Sequence, residues 1–245
     1  MLLEIYDIEP LKNFFDVIYD SASVVEMKLD SEKLLISLFN ISHVAFYNLE
    51  ISKLFFGDYE IDGVENVLLF VEDFYKILKS ANKNDTLYLE TNDSYLICKF
   101  ENETNHRIFK LPLAEEYGES PMPPSIEYDG VFNVSLDDLK QAVNDLSKIV
   151  KTDRFKMILN DATLNITAPS DVMTNYSNEI DLDTSVNGYV TVNIDYISQI
   201  LKLSKINKNV DLKVGDGIPL SWNMSSTDEL VNISGLIAPI IEIDE

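Results

Sequence analysis

The residues that could do covalent or metal chemistry are few and badly spaced for it. Asp137-Asp138 and Glu115-Glu116 are adjacent carboxylate pairs, a donor set that can hold Mg²⁺ for phosphoester hydrolysis. The first pair opens an apolar run of helical spacing, where acids complement the positive end of a helix. The second lies in a proline- and glycine-bearing stretch, where solvation accounts for it. His43 and His106, with Cys98 as the one cysteine, fall short of a zinc ligand set. "GDG" at 215–217 sits between two alternating runs and reads as a hairpin turn, not a phosphate-cradling loop, and no nucleophile elbow occurs. The expectation is no catalytic residue, no metal and no cofactor.

The lysines are more informative. The chain carries 42 acidic and 19 basic residues, a formal charge of −23, and an acidic surface repels phosphates unless its cations are gathered in one place. They are gathered. Four windows with helical periodicity, 9–22, 71–84, 135–151 and 193–209, hold ten basic residues: Lys12, Lys76, Lys79, Lys83, Lys140, Lys148, Lys151, Lys202, Lys205 and Lys208. The windows hold only nine acids, so they balance at +1 against −24 for the rest of the chain. Lys76, Lys79 and Lys83 are spaced i, i+3, i+7, and Lys148/Lys151 and Lys202/Lys205 repeat the i, i+3 step, which predicts shared helix faces. One lysine merely solvates a helix; the set predicts a surface for phosphates. Only two arginines occur, with no basic–aromatic cluster, so base readout is not expected.

The elements that carry these lysines occur twice. "EPLKNFFDVIYDSAS" (9–23) and "DDLKQAVNDLSKIVK" (137–151) share acidic first turns and apolar helical stripes, with Pro10 and Ser135 suited to the helix starts. "VEDFYKILKSANKND" (71–85) matches "NIDYISQILKLSKINKN" (193–209), Ile-Leu-Lys recurring at 77–79 and 200–202. "VVEMKLDSEKLLISLF", "RFKMILNDATLNITA", "TLYLETNDSYLICKF" and "VDLKVGDGIPLSWNM" alternate as hairpins do. Each half therefore reads helix, strands, helix, strands: an α+β class with helices on one face of antiparallel sheets. The expected domains are 1–113 and 131–245, joined by a connector at 114–130 rich in proline and acid. Duplication fits this order better than two unrelated modules or one large domain.

Composition sets the remaining bounds. At 46% hydrophobic residues the chain can bury a core. No stretch approaches the ~20 apolar residues of a membrane helix, and "MLLEIYDIEP" lacks a basic region and an unbroken apolar stretch. The nine Asn-x-Ser/Thr sequons then read as chance, and Cys98 in "SYLICKF" as a buried, inert thiol in a reducing compartment.

"NISHVAF" (40–46), "FKLPL" (109–113), "GIPLSWNM" (217–224) and the terminal "LIAP" (236–239), in that order and spacing, resemble the PCNA family of DNA sliding clamps over nearly the whole chain. "SPMPPS" and "NDTLYLETNDSYLICKF" look most similar to archaeal subunits, including those of heterotrimeric rings. The resemblance implies a ring of three chains, helices lining the hole and facing duplex DNA, sheets outside, and no enzymatic activity. It implies a cytoplasmic, nucleoid-associated location (nuclear if eukaryotic). It further implies an apolar pocket for short motifs of DNA polymerase, clamp loader, ligase and flap nuclease. The matching positions are Phe39, His43, Val44, Phe46, Pro219, Leu236, Ile237, Ala238 and Pro239, with Met122 and Pro123 placed in the connector. Ring closure is expected through edge strands near Ile108–Leu113 and Val172–Ile180.

Two departures from the family pattern stand out. Ile41 occupies a loop position that is commonly small or polar. The first helix offers Lys12 against Glu9, Asp16 and Asp20, so partners in a mixed ring could supply positive charge. Two other readings remain open: an acidic metal-dependent hydrolase, and an adaptor that binds proteins without encircling DNA.

Overall fold

The computed structural model describes residues 1–92, 94–115, 122–128, 130–168 and 173–241. The chain folds as two compact units, Met1–Met122 with Ser225–Ile233, and Pro123–Met224 with Ser234–Glu245. The first half runs β1 (Leu2–Ile5), α1 (Glu9–Ile18), β2 (Val24–Leu29), β3 (Lys33–Phe39), β4 (Ala45–Ser52), β5 (Tyr59–Glu60), β6 (Glu65–Phe70), α2 (Val71–Lys79), β7 (Thr86–Thr91), β8 (Tyr95–Asn102) and β9 (Asn105–Pro112). The second runs β10 (Phe132–Ser135), α3 (Leu136–Asn144) with a π-helical turn at Asp145–Val150, β11 (Arg154–Asn160), β12 (Thr163–Thr167), β13 (Ser177–Asp181), β14 (Gly188–Asn193), α4 (Ile194–Leu201), β15 (Asn209–Lys213), β16 (Leu220–Ser225) and β17 (Val231–Ile237).

The two units share one topology. The first has a sheet ordered β5-β1-β7-β8-β9 and a ladder β4-β3-β2-β6; the second has β10-β15-β16 and a ladder β13-β12-β11-β14. The registers coincide down to residue type. Met27 pairs with Ile36 and Leu29 with Leu34, while Met157 pairs with Ile166 and Leu159 with Leu164. Met27 also faces Val67, as Met157 faces Val190. All of these methionine, isoleucine and leucine positions are buried. A one-residue slip would turn every one of them to the other face, so matching pairs in matching register mark a duplicated unit. Antiparallel sheets with few helices make the chain α+β, as the alternation predicted.

Each helix is held by its apolar stripe. α1 buries Leu11, Phe14, Phe15, Val17 and Ile18, each worth roughly 1.5–3 kcal/mol relative to exposure. Phe15 meets Phe74 of α2 edge-on at 4.9 Å. α3 and α4 bury Leu136, Leu139, Val143 and Ile194, Ile197, Ile200 in the same way. Ser135 caps α3 by accepting the Asp137 N–H at 3.1 Å, and Asn193 caps α4 by accepting from Asp195 at 2.8 Å. Pro10 lies in the first turn of α1. Cys98 is fully buried, and burial pushes its thiol up to about 12.

Candidate DNA-facing helices and partner-binding residues

Within each unit the two helices run antiparallel. The Val71 N–H at the start of α2 donates to the Ser23 carbonyl just beyond α1, at 3.0 Å. In the second unit Leu136 N–H donates to Lys208 O at 2.8 Å and Ile194 N–H to Asp153 O at 2.7 Å, which ties both ends of the α3–α4 pair. The apolar stripes face inward, so Lys76, Lys79, Lys140, Lys148 and Lys202 stand exposed on or beside the helices.

The helices are shorter than the periodic windows, and this changes the setting of several lysines. α2 ends at Lys79, so Lys83 is in the following turn, off the helical face it was expected to share. Lys151 takes the left-handed conformation (φ 62°) that stops the π-helical turn. Beyond α4 the chain continues in tight turns, Leu203 N–H to Ile200 O and Ile206 N–H to Leu203 O, which carry Lys205 and Lys208.

Three of the helix cations of the first unit have local partners. Lys12 pairs with Glu9 at 3.2 Å and Lys76 with Glu72 at 2.5 Å. Lys79 Nζ lies 5.3 Å from the centre of the Tyr75 ring, whose hydroxyl donates to Asp16. Burial, then that bond, holds the Tyr75 phenol well above its ordinary value. Lys83 shares a hollow with Asp7, Glu9, Lys12 and Asp85. In the second unit Lys140, Lys148, Lys151 and Lys208, all exposed, form no ion pair among the described residues.

The loop between β3 and β4 is organised by Asn40, which is 8% exposed. Its Oδ1 accepts from Val44 N–H (2.8 Å) and Ala45 N–H (2.9 Å), and its Nδ2 donates to Ser42 Oγ at 2.9 Å. Ile41 N–H donates to Ser21 O at 3.0 Å. So held, the loop leaves Ile41 76% exposed and His43 in a left-handed turn (φ 55°) with its ring 5.6 Å from that of Phe39. Phe39 stacks in turn on Phe46 at 5.1 Å. Val44 is half-buried and Phe46 buried, so Phe46 supports this patch from below.

In the second unit the C-terminal segment is tied down beyond its strand, for Ile240 N–H donates to Thr191 O at 2.7 Å. Pro239, Ile240 and Ile241 line a cavity of about 300 Å³ with Lys156, Tyr189 and Gly217. Ile237 is buried, Leu236, Ala238 and Pro239 are half-buried, and Ile241 is 82% exposed. Tyr128 donates to the Pro219 carbonyl at 2.7 Å, fixing the last part of the connector. Met122 is 88% exposed and Pro123 exposed. Connector residues 116–121 and 129, which include part of "SPMPPS", lie outside the described residues.

Residues 4–115 match the family model for the proliferating cell nuclear antigen N-terminal domain. Relatives named DNA polymerase sliding clamp, from Methanothermobacter thermautotrophicus and Methanobrevibacter smithii, are 28% and 26% identical over 245 residues, covering 99% of this chain and 98% of each relative. Over its first half the chain matches the PCNA family, and over its whole length it is similar to DNA sliding clamps. Solved clamp structures share its fold: the PCNA2–PCNA3 complex of Sulfolobus tokodaii (TM-score 0.87, 21% identity, covering 99% of this chain and 100% of that one), and A. fulgidus PCNA bound to the C-terminal region of FEN-1 (TM-score 0.88, 19% identity, 99% of each).

β9 is the outermost strand of its sheet and β13 of its ladder, so each has one unpaired edge. Val172, at one end of the expected second edge, lies outside the described residues, and β13 itself begins at Ser177. Asp137 and Asp138 stand at the capped start of α3, which gives them a structural role. Sequence reasoning missed Asn40, Ile240, Ile241 and Tyr189. An Asx-turn signal was available for Asn40, two residues before Ser42; nothing local marked the others.

Proposed function

We propose that the chain works as a processivity clamp: rings of such chains encircle duplex DNA and hold partner enzymes to it. The observation that carries this reading is the duplicated unit, whose helices and the turns that follow them hold ten of the chain's nineteen cations while the rest of the sequence is strongly acidic. Lysine point charges attract phosphates without reading bases, and a topological link needs no tight contact. The role assigns no catalytic residue, and domains 1–113 and 131–245 with their connector follow from it.

On the first unit Phe39, Ile41, His43 and Val44, supported by Phe46, are an apolar surface that a partner's short motif would cover; on the second Pro219, Leu236, Ala238, Pro239 and Ile241, supported by Ile237, are another, and Met122 and Pro123 of the connector are exposed to the same kind of contact. Apolar side chains exposed in groups mark such sites. The C-terminal region of FEN-1 named with A. fulgidus PCNA is the model for a nuclease partner; polymerase, ligase and clamp loader follow by family. For assembly, β9 presents His106, Ile108 and Lys110 on its exposed face and β13 presents Ser177, Glu179 and Asp181. Free edges invite strand pairing, and opposite charges on the two edges of one chain favour a ring of like chains over the mixed ring. The setting is the nucleoid; no helix among the described residues is long and apolar enough to cross a membrane.

The test is loading by an archaeal clamp loader onto nicked circular DNA, followed by linearisation. Retention on the circle and release from the line are expected, and sedimentation of the chain alone should give a trimer. Equal retention on both forms would overturn the ring.

A further inference from the structure

We infer that the second unit, through Lys140, Lys148, Lys151 and Lys208, supplies most of the grip on DNA phosphates, and that the helix pair of the first unit is electrostatically close to neutral toward DNA. This rests on the clamp reading and apportions its DNA-facing surface.

The duplication supplies an internal comparison. Shifted by 128 residues, the first helix of each unit puts Asp20 opposite Lys148 and Ser23 opposite Lys151; shifted by 123, the second puts Asn82 opposite Lys205 and Asp85 opposite Lys208. Four cationic positions of the second unit are thus acidic or neutral in the first. Lys76 and Lys83 go the other way, against Gln199 and Ile206; the first is offset by an ion pair and the second stands beside acids without being paired among the described residues. Lys76 is bound to Glu72 at 2.5 Å, and Lys83 sits in the hollow that holds Asp7 and Glu9. Lys12, the counterpart of Lys140, is paired with Glu9.

The sums follow the same division. The windows of α1 and α2 hold four lysines against Glu9, Asp16, Asp20, Glu72 and Asp73; those of α3 and α4 hold six against Asp137, Asp138, Asp145 and Asp195. Screening acts over about 8 Å at physiological salt, so an acid ion-paired with a lysine cancels it while those on the far side of a sheet do not. A lysine already bound to a carboxylate also releases less counterion on meeting a phosphate, because its own pair must first open. The antiparallel α3–α4 pair puts Lys148 and Lys151 at one end and Lys140 and Lys208 at the other, since Leu136 and Lys208 are hydrogen-bonded. The grip thus extends along the helix pair.

The probe is a 30-base-pair duplex, used with open ends and with both ends capped by streptavidin before protein is added. Affinity is measured between 50 and 200 mM KCl. Each phosphate that is no longer neutralised lowers the salt slope by about 0.9. Lys140→Gln/Lys148→Gln/Lys151→Gln/Lys208→Gln should release at least two phosphates per ring, a slope change of about 1.8 or more that flattens the affinity ratio between those salts by about 12-fold or more. Lys12→Gln/Lys76→Gln/Lys79→Gln/Lys83→Gln should change the slope by less than half as much. Conversely, Asp20→Lys/Asn82→Lys should steepen it. Unaltered helical circular dichroism keeps each variant interpretable, since all these side chains are at the surface. An equal or larger change from the first-unit set overturns the assignment. Capping speaks to the ring separately: binding that survives it refutes encirclement while leaving the slope comparison valid.

Discussion

Replacing Asn40 with alanine tests whether one buried amide sets the shape of the exposed loop that carries Ile41 and His43. The side chain satisfies two backbone donors, Val44 N–H at 2.8 Å and Ala45 N–H at 2.9 Å, and braces Ser42. Ala45 is 1% exposed, so its N–H cannot turn to water, and leaving it unmade costs about 1–3 kcal/mol. Val44 is half-buried, and solvent replaces part of its bond, at about 0.5–1 kcal/mol. The ordered loop should therefore lose about 2–3 kcal/mol. A partner peptide that needs this loop shape would bind roughly 30- to 100-fold more weakly, since each 1.4 kcal/mol is tenfold. Asn40→Asp keeps both acceptor bonds and replaces the amide donor to Ser42 with an oxygen that can accept from the Ser42 hydroxyl, so most affinity should return. The assay pairs calorimetry, using a peptide from the C-terminal region of an archaeal FEN-1, with amide hydrogen exchange at Val44 and Ala45. If Asn40→Ala leaves both the exchange of these amides and the peptide Kd within twofold of the parent, the amide does not organise the loop and the reasoning fails.

Three further outcomes are expected. Asp85 is buried, and burial raises its carboxyl; the Asn82 N–H, Asn102 and Arg107 outweigh that and hold it below the usual range. A group depressed on folding stabilises above its unfolded value near 3.8 and loses that contribution as pH falls below it. Asp85→Asn should thus flatten the acid limb of a thermal-melting profile, while Asp85→Ala, which strands Arg107, should cost about 3 kcal/mol at neutral pH; a parallel acid limb in Asp85→Asn contradicts this. Cys98, with its thiol near 12, should titrate as zero thiols with a disulfide reagent at pH 8 and as one in guanidinium. Truncation after Ala238 removes Ile240 and its bond to Thr191 but spares buried Ile237. Peptide affinity should fall at least tenfold with the DNA salt slope unchanged, whereas undiminished peptide binding would exclude the tail from the site.

What was legible in the sequence was whatever one element decides by itself. The stripe Leu11, Phe14, Phe15, Ile18 is dictated by a 3.6-residue period, Ser135 by the needs of a helix start, and the four hairpins by alternation, so these formed where expected. Helix ends were less legible, because they depend on neighbours. Lys83 reads as a third step on the α2 face, but the chain turns at Ser80 and closes on itself, Asp85 accepting from Asn82 N–H at 2.8 Å, and that carboxylate is held by Arg107 from β9, 22 residues away. Lys148 and Lys151 look like one more helical turn, yet the π-helical turn and the left-handed Lys151 redirect them. The half-cavity under Ile240 and Ile241 was invisible because Lys156, Tyr189 and Gly217 come from three separate strands and turns.

The duplication itself shows why the core and the charged surface differ in this respect. Met27, Ile36, Leu29 and Leu34 recur as Met157, Ile166, Leu159 and Leu164 in the same register, because a filled interior penalises any change of volume or face. The ends of the helix windows diverge instead, and there Asp20 stands against Lys148 and Asp85 against Lys208. Asp85 shows the mechanism: its carboxylate is enclosed by Asn82, Asn102 and Arg107, so a lysine at that place would bury a cation beside Arg107 and break the first unit. The second unit leaves Lys208 exposed, its backbone carbonyl engaged by Leu136 and its side chain without an ion pair among the described residues. Asp85→Lys should therefore unfold or strongly destabilise the first unit, whereas Asp20→Lys, at an exposed position just past α1, should be tolerated within about 0.5 kcal/mol. Thermal melting of the two variants separates the cases, and a stable Asp85→Lys protein would mean that packing did not force the two helix pairs apart in charge.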